Sequence, residues 1–217
     1  MAKPNVAEGE RDEGAVSPGR RNLSPAFYSR PVLDVARDLL GCVVRHGATA
    51  GVIVETEAYH QDEAACHAHV GVTARTSTLF GPPGLAYVYR SYGIHALLNV
   101  VCEPEDVGAA VLVRALDPSD GLDVMRARRR LDREQDLCSG PGKLTQALDV
   151  GLHHNETDLL GAGPVRLEPP QGPLPAPVAG PRIGITKAAE LPWRFCATGS
   201  RNVSKPWPPG LRETLPR

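Results

Sequence analysis

The stretch Ile53-Val54-Glu55-Thr56-Glu57-Ala58-Tyr59 limits the possible folds of this chain more than any other segment. Apolar residues lead into two acids and a tyrosine. The period-2 geometry of a strand puts Glu55, Glu57 and Tyr59 on one face. A solvated edge strand rarely needs that combination, so the segment is expected in a sheet that carries chemistry on one side. Further on, Leu85-Ala86-Tyr87-Val88-Tyr89-Arg90-Ser91-Tyr92-Gly93 holds three of the chain's five tyrosines. That concentration suggests a stacking surface for a flat, aromatic substrate.

Around these two segments the pattern predicts an α+β architecture, a single mixed domain with a curved antiparallel sheet flanked by helices. Pro31 suits a first helical turn, and Val32, Val35, Ala36, Leu39 and Leu40 keep a helical stripe that Gly41 ends. Runs from Cys42 to Arg45 and from Val52 to Glu57 read as a hairpin about the small-residue turn Gly47 to Gly51. A second hairpin pairs the Tyr87 strand with Ala96 to Val101, leaving Tyr92 near its tip. The run Ala109 to Ala115 is expected to leave through Asp117-Pro118-Ser119 into a helix from Asp120 to about Glu134. After a proline-rich crossing, the last strands are expected at Arg182 to Ile185 and Arg194 to Ala197. Residues 1–23 mix Glu, Arg, Gly, Ser and Pro without apolar periodicity and are expected to be a disordered tail. The domain is then expected over 24–205, with a short tail over 206–217.

Composition narrows the function classes. The chain has 217 residues, enough for one full core, and no apolar run approaches the length of a membrane span. The polar N-terminus lacks a hydrophobic signal core, so an intracellular place is expected, cytoplasm or nucleoid in a bacterium. Five dispersed cysteines without a CxxC pair argue against a disulfide framework or a zinc ribbon. Cys66, His67 and His69 could be imagined on a metal, but no second cluster has suitable spacing. The formal net charge of −1 is awkward for a nucleic-acid binder, yet the charge is unevenly spread. Arg126, Arg128, Arg129, Arg130 and Arg133 crowd one segment, and the C-terminal part is rich in Arg and Lys.

Several ordered motifs resemble one family: Val54-Glu55-Thr56-Glu57-Ala58-Tyr59, Asp62-Glu63-Ala64-Ala65-Cys66-His67, Tyr87-Val88-Tyr89 with Tyr92-Gly93, Asn99, and Leu137-Cys138-Ser139-Gly140-Pro141-Gly142-Lys143-Leu144. The chain is similar over roughly Ser24 to Ser204 to the alkyladenine (3-methyladenine) DNA glycosylases, including Leu112-Val113-Arg114-Ala115-Leu116 and Pro181-Arg182-Ile183-Gly184-Ile185. The resemblance implies a monofunctional enzyme of base excision repair that flips an alkylated or otherwise modified purine from double-stranded DNA. Hydrolysis of the N-glycosidic bond then leaves an abasic site. It implies no metal, no redox cofactor and no membrane partner, and the chain is expected to be a monomer.

Position by position, Glu57 matches the catalytic acid that prepares the attacking water, and an anion there also stabilises an oxocarbenium-like sugar. It is therefore expected to be ionised, with Glu55 in support. Tyr59, His67 and Tyr89 match the base pocket, where electron-rich rings suit a cationic alkylated purine. Asn99 matches a pocket residue whose bulk disfavours the exocyclic amine of guanine. Tyr92 matches the side chain that wedges into the duplex, on a hairpin inserted into DNA. Tyr87, Arg114 and Lys143 match DNA contacts, Arg114 near the catalytic centre as well and Lys143 at a helix start that could hold a phosphate. The short loop before His67, the segment Gly71 to Thr78 and the pair Ile94-His95 depart from the family pattern, which bears on lesion choice. Hypoxanthine and ethenoadenine are the neutral lesions to weigh. Two other classes fit less well, a noncatalytic nucleic-acid-binding module and a metal-dependent nuclease using Glu55, Glu57, Asp62 and Glu63.

Overall fold

The computed structural model describes residues 23–161 and 163–215. The tail expected over 1–23 therefore lies almost wholly outside the described residues. Two short helices, α1 (Pro25–Tyr28) and α2 (Val32–Asp38), precede the strands β1 (Val43–His46), β2 (Thr49–His60), β3 (Ala86–Ser91), β4 (His95–Val101) and β5 (Ala109–Asp120). Then come α3 (Leu122–Arg129), α4 (Pro141–Leu148), β6 (Val165–Glu168), β7 (Pro177–Gly180) and β8 (Arg194–Ala197). The strands make one curled antiparallel sheet in the order β3-β4-β5-β2-β1-β6, with β8 joining β2 and β7 joining β8.

β2 forks the sheet. Its first residues pair with β1, Val52 opposite Val43, while Glu55, Thr56 and Glu57 pair with Cys196, Phe195 and Arg194 of β8. Along its other edge β2 pairs with β5 over nearly its whole length, with register shifts on either side of Glu55. Those bulges reset the alternation, so Ile53 and Val54 are both in the main core while Glu55 begins a new series.

The alternation of side chains separates structure from chemistry. Ala86 and Val88 of β3, Leu98 and Val100 of β4, Val111 and Val113 of β5 and Ala58 of β2 face the main core. Helices α1 and α2 cover this face, where the Thr56 hydroxyl donates to the Ala36 carbonyl at 2.8 Å. Tyr87, Val101 and Ala110 turn to the opposite face and join Cys66, Ala68 and Leu79 in a smaller cluster, against which Tyr59 and Tyr89 pack. One face holds the fold together and the other carries the aromatic residues.

Several expectations need correction. Asp117-Pro118-Ser119 does not leave the sheet: β5 continues to Asp120, and Asp117 accepts hydrogen bonds from Ser200 and Asn202. The helix expected from Asp120 to Glu134 is the shorter α3, ended by Arg130 in the left-handed region at φ 53°. Arg182 to Ile185 is not a strand: the Ile183 amide, which a ladder would use, donates to the Glu57 side chain instead. The last hairpin is β7 with β8, and β6 beside β1 was not foreseen. Past residue 205 the chain still packs on the domain, with Leu211 fully buried and Trp207 against the main core.

Candidate active site

Glu55 and Glu57 are both fully buried, which only dense pairing makes tolerable. Glu55 accepts from Arg114 Nε at 3.0 Å, Arg194 Nε at 2.6 Å, the Ser204 amide at 2.7 Å and the Ser204 hydroxyl at 2.8 Å. Both its oxygens are thus committed. Glu57 is held differently. Its Oε2 accepts from the Tyr59 hydroxyl at 2.8 Å and Arg114 Nη1 at 3.1 Å, while its Oε1 accepts, among the described residues, only from the Ile183 amide at 2.7 Å. A carboxylate oxygen has two lone pairs, so Oε1 keeps capacity for a further donor such as water.

Burial pushes the Glu57 carboxyl above its ordinary value, and the charge of Arg114, the Ile183 amide and the Tyr59 hydroxyl oppose that rise. Three donors aimed at one carboxyl group favour the ionised form. The Tyr59 hydroxyl is itself pushed well up, by burial first and by the neighbouring Glu57 charge second, so it stays a donor. Arg114, expected near both the DNA and the catalytic centre, is turned inward to the acids, with its donors on Glu55, Glu57 and Ser204 and its side chain 8% exposed. Its sequence neighbours Val113 and Ala115 face the main core, so the alternation of β5 carries Arg114 to the acids.

Beside the acids opens a cavity of about 280 Å³. Tyr59, His67, Tyr87, Tyr89, Tyr92 and Asn99 all line it, from positions spread over forty residues of sequence. His67 Nδ1 lies 3.0 Å from the Tyr87 hydroxyl, and Arg75 Nη2 lies 3.2 Å from His67 Nε2. Because the guanidinium can only donate, Nε2 accepts and Nδ1 carries the proton. Burial, and secondarily the charge of Arg75, lowers the His67 pKa and keeps the ring neutral. The His67 and Tyr89 rings meet edge to face at 4.6 Å, and Tyr89 stacks with Tyr87 at 5.5 Å. Burial pushes the Tyr89 phenol up to about 12. Asn99 Nδ2 donates to the carbonyls of Tyr87 at 3.0 Å and Leu97 at 3.3 Å, which fixes the direction of its amide.

Not every sequence-predicted residue reaches this cavity. Glu57 and Arg114 lie behind it, joined to its wall through Tyr59. Tyr87 is 3% exposed and serves as wall instead of outer surface. Lys143 lies in a second cavity with Arg133, Ser139, Arg201, Lys205 and Trp207, its ammonium 3.2 Å from the Ser139 hydroxyl. That half-buried basic hollow includes Ser204, which also binds Glu55. The arginine run is only partly outward: Arg128 donates to the Ala147 carbonyl and Arg129 to the Leu137 carbonyl, tying α3 to the segment around α4. Tyr92 stands at the hairpin tip, 84% exposed, with φ 48° followed by Gly93 at φ 73°. Two successive left-handed residues make the tight turn that glycine permits.

Arg75, Arg182, Arg194, Ile183 and Ser204 were given no role from the sequence. Arg182 and Ile183 fell inside a quoted motif, which was the one available signal. Among the described residues, no group of three His, Cys, Asp or Glu side chains could hold a metal ion, and no helix is long and apolar enough to cross a membrane.

Residues 26–201 match the family model described as methylpurine-DNA glycosylase. A relative from Rhodopseudomonas palustris strain BisB18, provisionally named a 3-methyladenine DNA glycosylase, is 55% identical over 187 residues, covering 85% of this chain and 92% of its own length. Relatives given the same provisional name occur in Bradyrhizobium diazoefficiens, 50% identical over 86% of this chain and 92% of their own, and in Methanoculleus marisnigri, 50% identical over 84% and 98%.

Proposed function

Because the chain belongs to the methylpurine-DNA glycosylase family and is a hydrolase of N-glycosyl bonds, we propose that it removes methylated purines of the 3-methyladenine type from duplex DNA by a water-based, monofunctional mechanism. The single observation that carries this reading is the contact between Glu57 and Tyr59, which sets a buried carboxylate directly behind the wall of an aromatic cavity. A flipped purine would stack on Tyr59, facing the His67 and Tyr89 edges, with Asn99 as a rigid stop beneath it. Tyr92 would fill the gap in the duplex, and the hollow around Lys143 would hold backbone phosphates.

Glu57 Oε1 would accept a proton from the water as its oxygen attacks the anomeric carbon and the base departs with the bonding electrons. The carboxylate also lowers the energy of the positive sugar in that transition state. Since Glu57 is buried in the free protein behind Tyr59, the nucleotide would have to open a path to it past that ring. Hypoxanthine and ethenoadenine leave less readily than a cationic base and would need hydrogen bonding from the His67 wall.

Base release from duplexes carrying each lesion, with EDTA present and Glu57→Gln in parallel, tests the proposal. Release by the wild type alone is expected. Full activity of the variant would remove Glu57 from its role, and strand cleavage abolished by EDTA would favour the nuclease reading.

A further inference from the structure

Glu63 and Arg182, 119 positions apart in sequence, meet in a buried pair whose side chains are 7% and 0% exposed. Arg182 Nη1 donates to Glu63 Oε1 at 2.6 Å and to the Ala58 carbonyl at 2.9 Å, and Nη2 donates to Glu63 Oε2 at 2.9 Å and to the Ala188 carbonyl at 3.2 Å. The guanidinium carbon lies 4.6 Å over the Tyr59 ring and 5.4 Å over Trp193. Glu63 Oε2 also accepts from the Ala65 amide at 2.8 Å, bracing the loop that runs into Cys66 and His67. Neither residue lines the cavity, yet the pair touches both of its walls.

We infer that Glu63 and Arg182 form a positioning pair for the hydrolytic centre, a clamp that sets the plane of Tyr59 and the place of the Ile183 amide and so fixes how Glu57 presents its free lone pair. This role rests on the reaction proposed above. A bidentate arginine–carboxylate fork fixes both planes, and stacking transfers that orientation to Tyr59, on the end of β2. The next residue along the chain, Ile183, gives Glu57 Oε1 its one hydrogen bond among the described residues. Gly184, at φ 78°, and Ile185 then carry the chain along the cavity. A shift of Arg182 would therefore disturb the base wall and the catalytic acid together, without touching either substrate or water.

The test uses two conservative variants of the full chain. Arg182→Lys keeps the charge but loses the fork, and Glu63→Gln keeps the shape but loses the charge. Both are made in a Trp207→Phe background, so that Trp193 emission reports the clamp without substrate. Single-turnover base release is followed from pH 5 to 9 on a duplex carrying one methylated purine. Each variant is expected to shift Trp193 emission, to lose about tenfold or more in rate, and to hold duplex DNA within about twofold of its parent. The acid limb should move to higher pH, because Glu57 loses a donor that favours its ionised form. A merely structural pair would lower the rate equally at every pH or only lower the melting temperature, and either result overturns the inference. Unchanged rates with shifted Trp193 emission would overturn it too. No release by the unsubstituted chain would instead defeat the proposed reaction, and this role with it.

Discussion

The acid end and the aromatic rim of the same site are built on opposite principles. At the acid end, Glu55, Glu57, Arg114, Arg182 and Arg194 are buried and bonded to one another or to the main chain. At the rim, Tyr92 is 84% exposed, and close to it in sequence or to His67 stand Ile94, 75% exposed, and Val70, the last residue of the short helix that starts at His67, 76% exposed. Charged groups inside a protein are tolerated only in fixed geometry, which is the geometry that stabilises a transition state without reorganisation. On the proposed function, an exposed apolar tip would have no fixed partner until a duplex supplied one. The difference teaches that the buried charges are fixed in advance while the exposed tip is left open.

The sharpest break of that comparison is Glu57→Gln, expected to lower base release by about a thousandfold or more while duplex binding is kept. Single-turnover rates and a mobility-shift titration check it. Next is Arg194→Leu, which strips Glu55 of one cationic partner and leaves a buried charge under-compensated. It should lower stability by about 3 kcal/mol in urea unfolding, a loss that an exposed pair such as Arg37 with Asp34 would not match. Tyr92→Ala acts only at the rim. It should weaken capture of the lesion by about 1–2 kcal/mol and leave urea stability unchanged. The smallest effect is expected from Lys143→Ala, which should reduce the slope of log K against log salt by about one.

The acid end also predicts a pH dependence. In the proposed mechanism Glu57 takes a proton only when ionised, and burial raises its pKa from the ordinary 4.5, so activity should rise with pH through a limb that lies above 4.5. A rate profile under single-turnover conditions measures it. A limb at or below 4.5 would mean that the charge of Arg114 outweighs burial.

The rim was more legible in the sequence than the acid end. Strand alternation put Glu57 beside Tyr59, and the hairpin pattern put Tyr92 at a tip, because both follow from local periodicity. The pocket residues Tyr59, His67, Tyr89 and Asn99 came from motif resemblance, and the structure brings them to one cavity. Arg182 and Arg194 carry no such local signal, because a lone arginine reads locally as solvated surface. What buries Arg182 is Glu63, and what buries Arg194 is Glu55, 139 positions away. Such pairings have no local signal. For the same reason β6 and β7, four residues each, escaped notice, their place being set by the partners they meet in the sheet.

The fork in β2 has a consequence for the order in which a new molecule becomes competent. Glu55 to Glu57 acquire their second neighbour only from β8, and Glu55 is satisfied only when Ser204 arrives. Contacts this remote form late, after most of the chain has left the ribosome. The nascent protein can therefore assemble its helices and its tyrosine hairpin while its acid pair is still open to water. On the proposed role of Glu57, the capacity to cut a glycosidic bond would be among the last properties it gains.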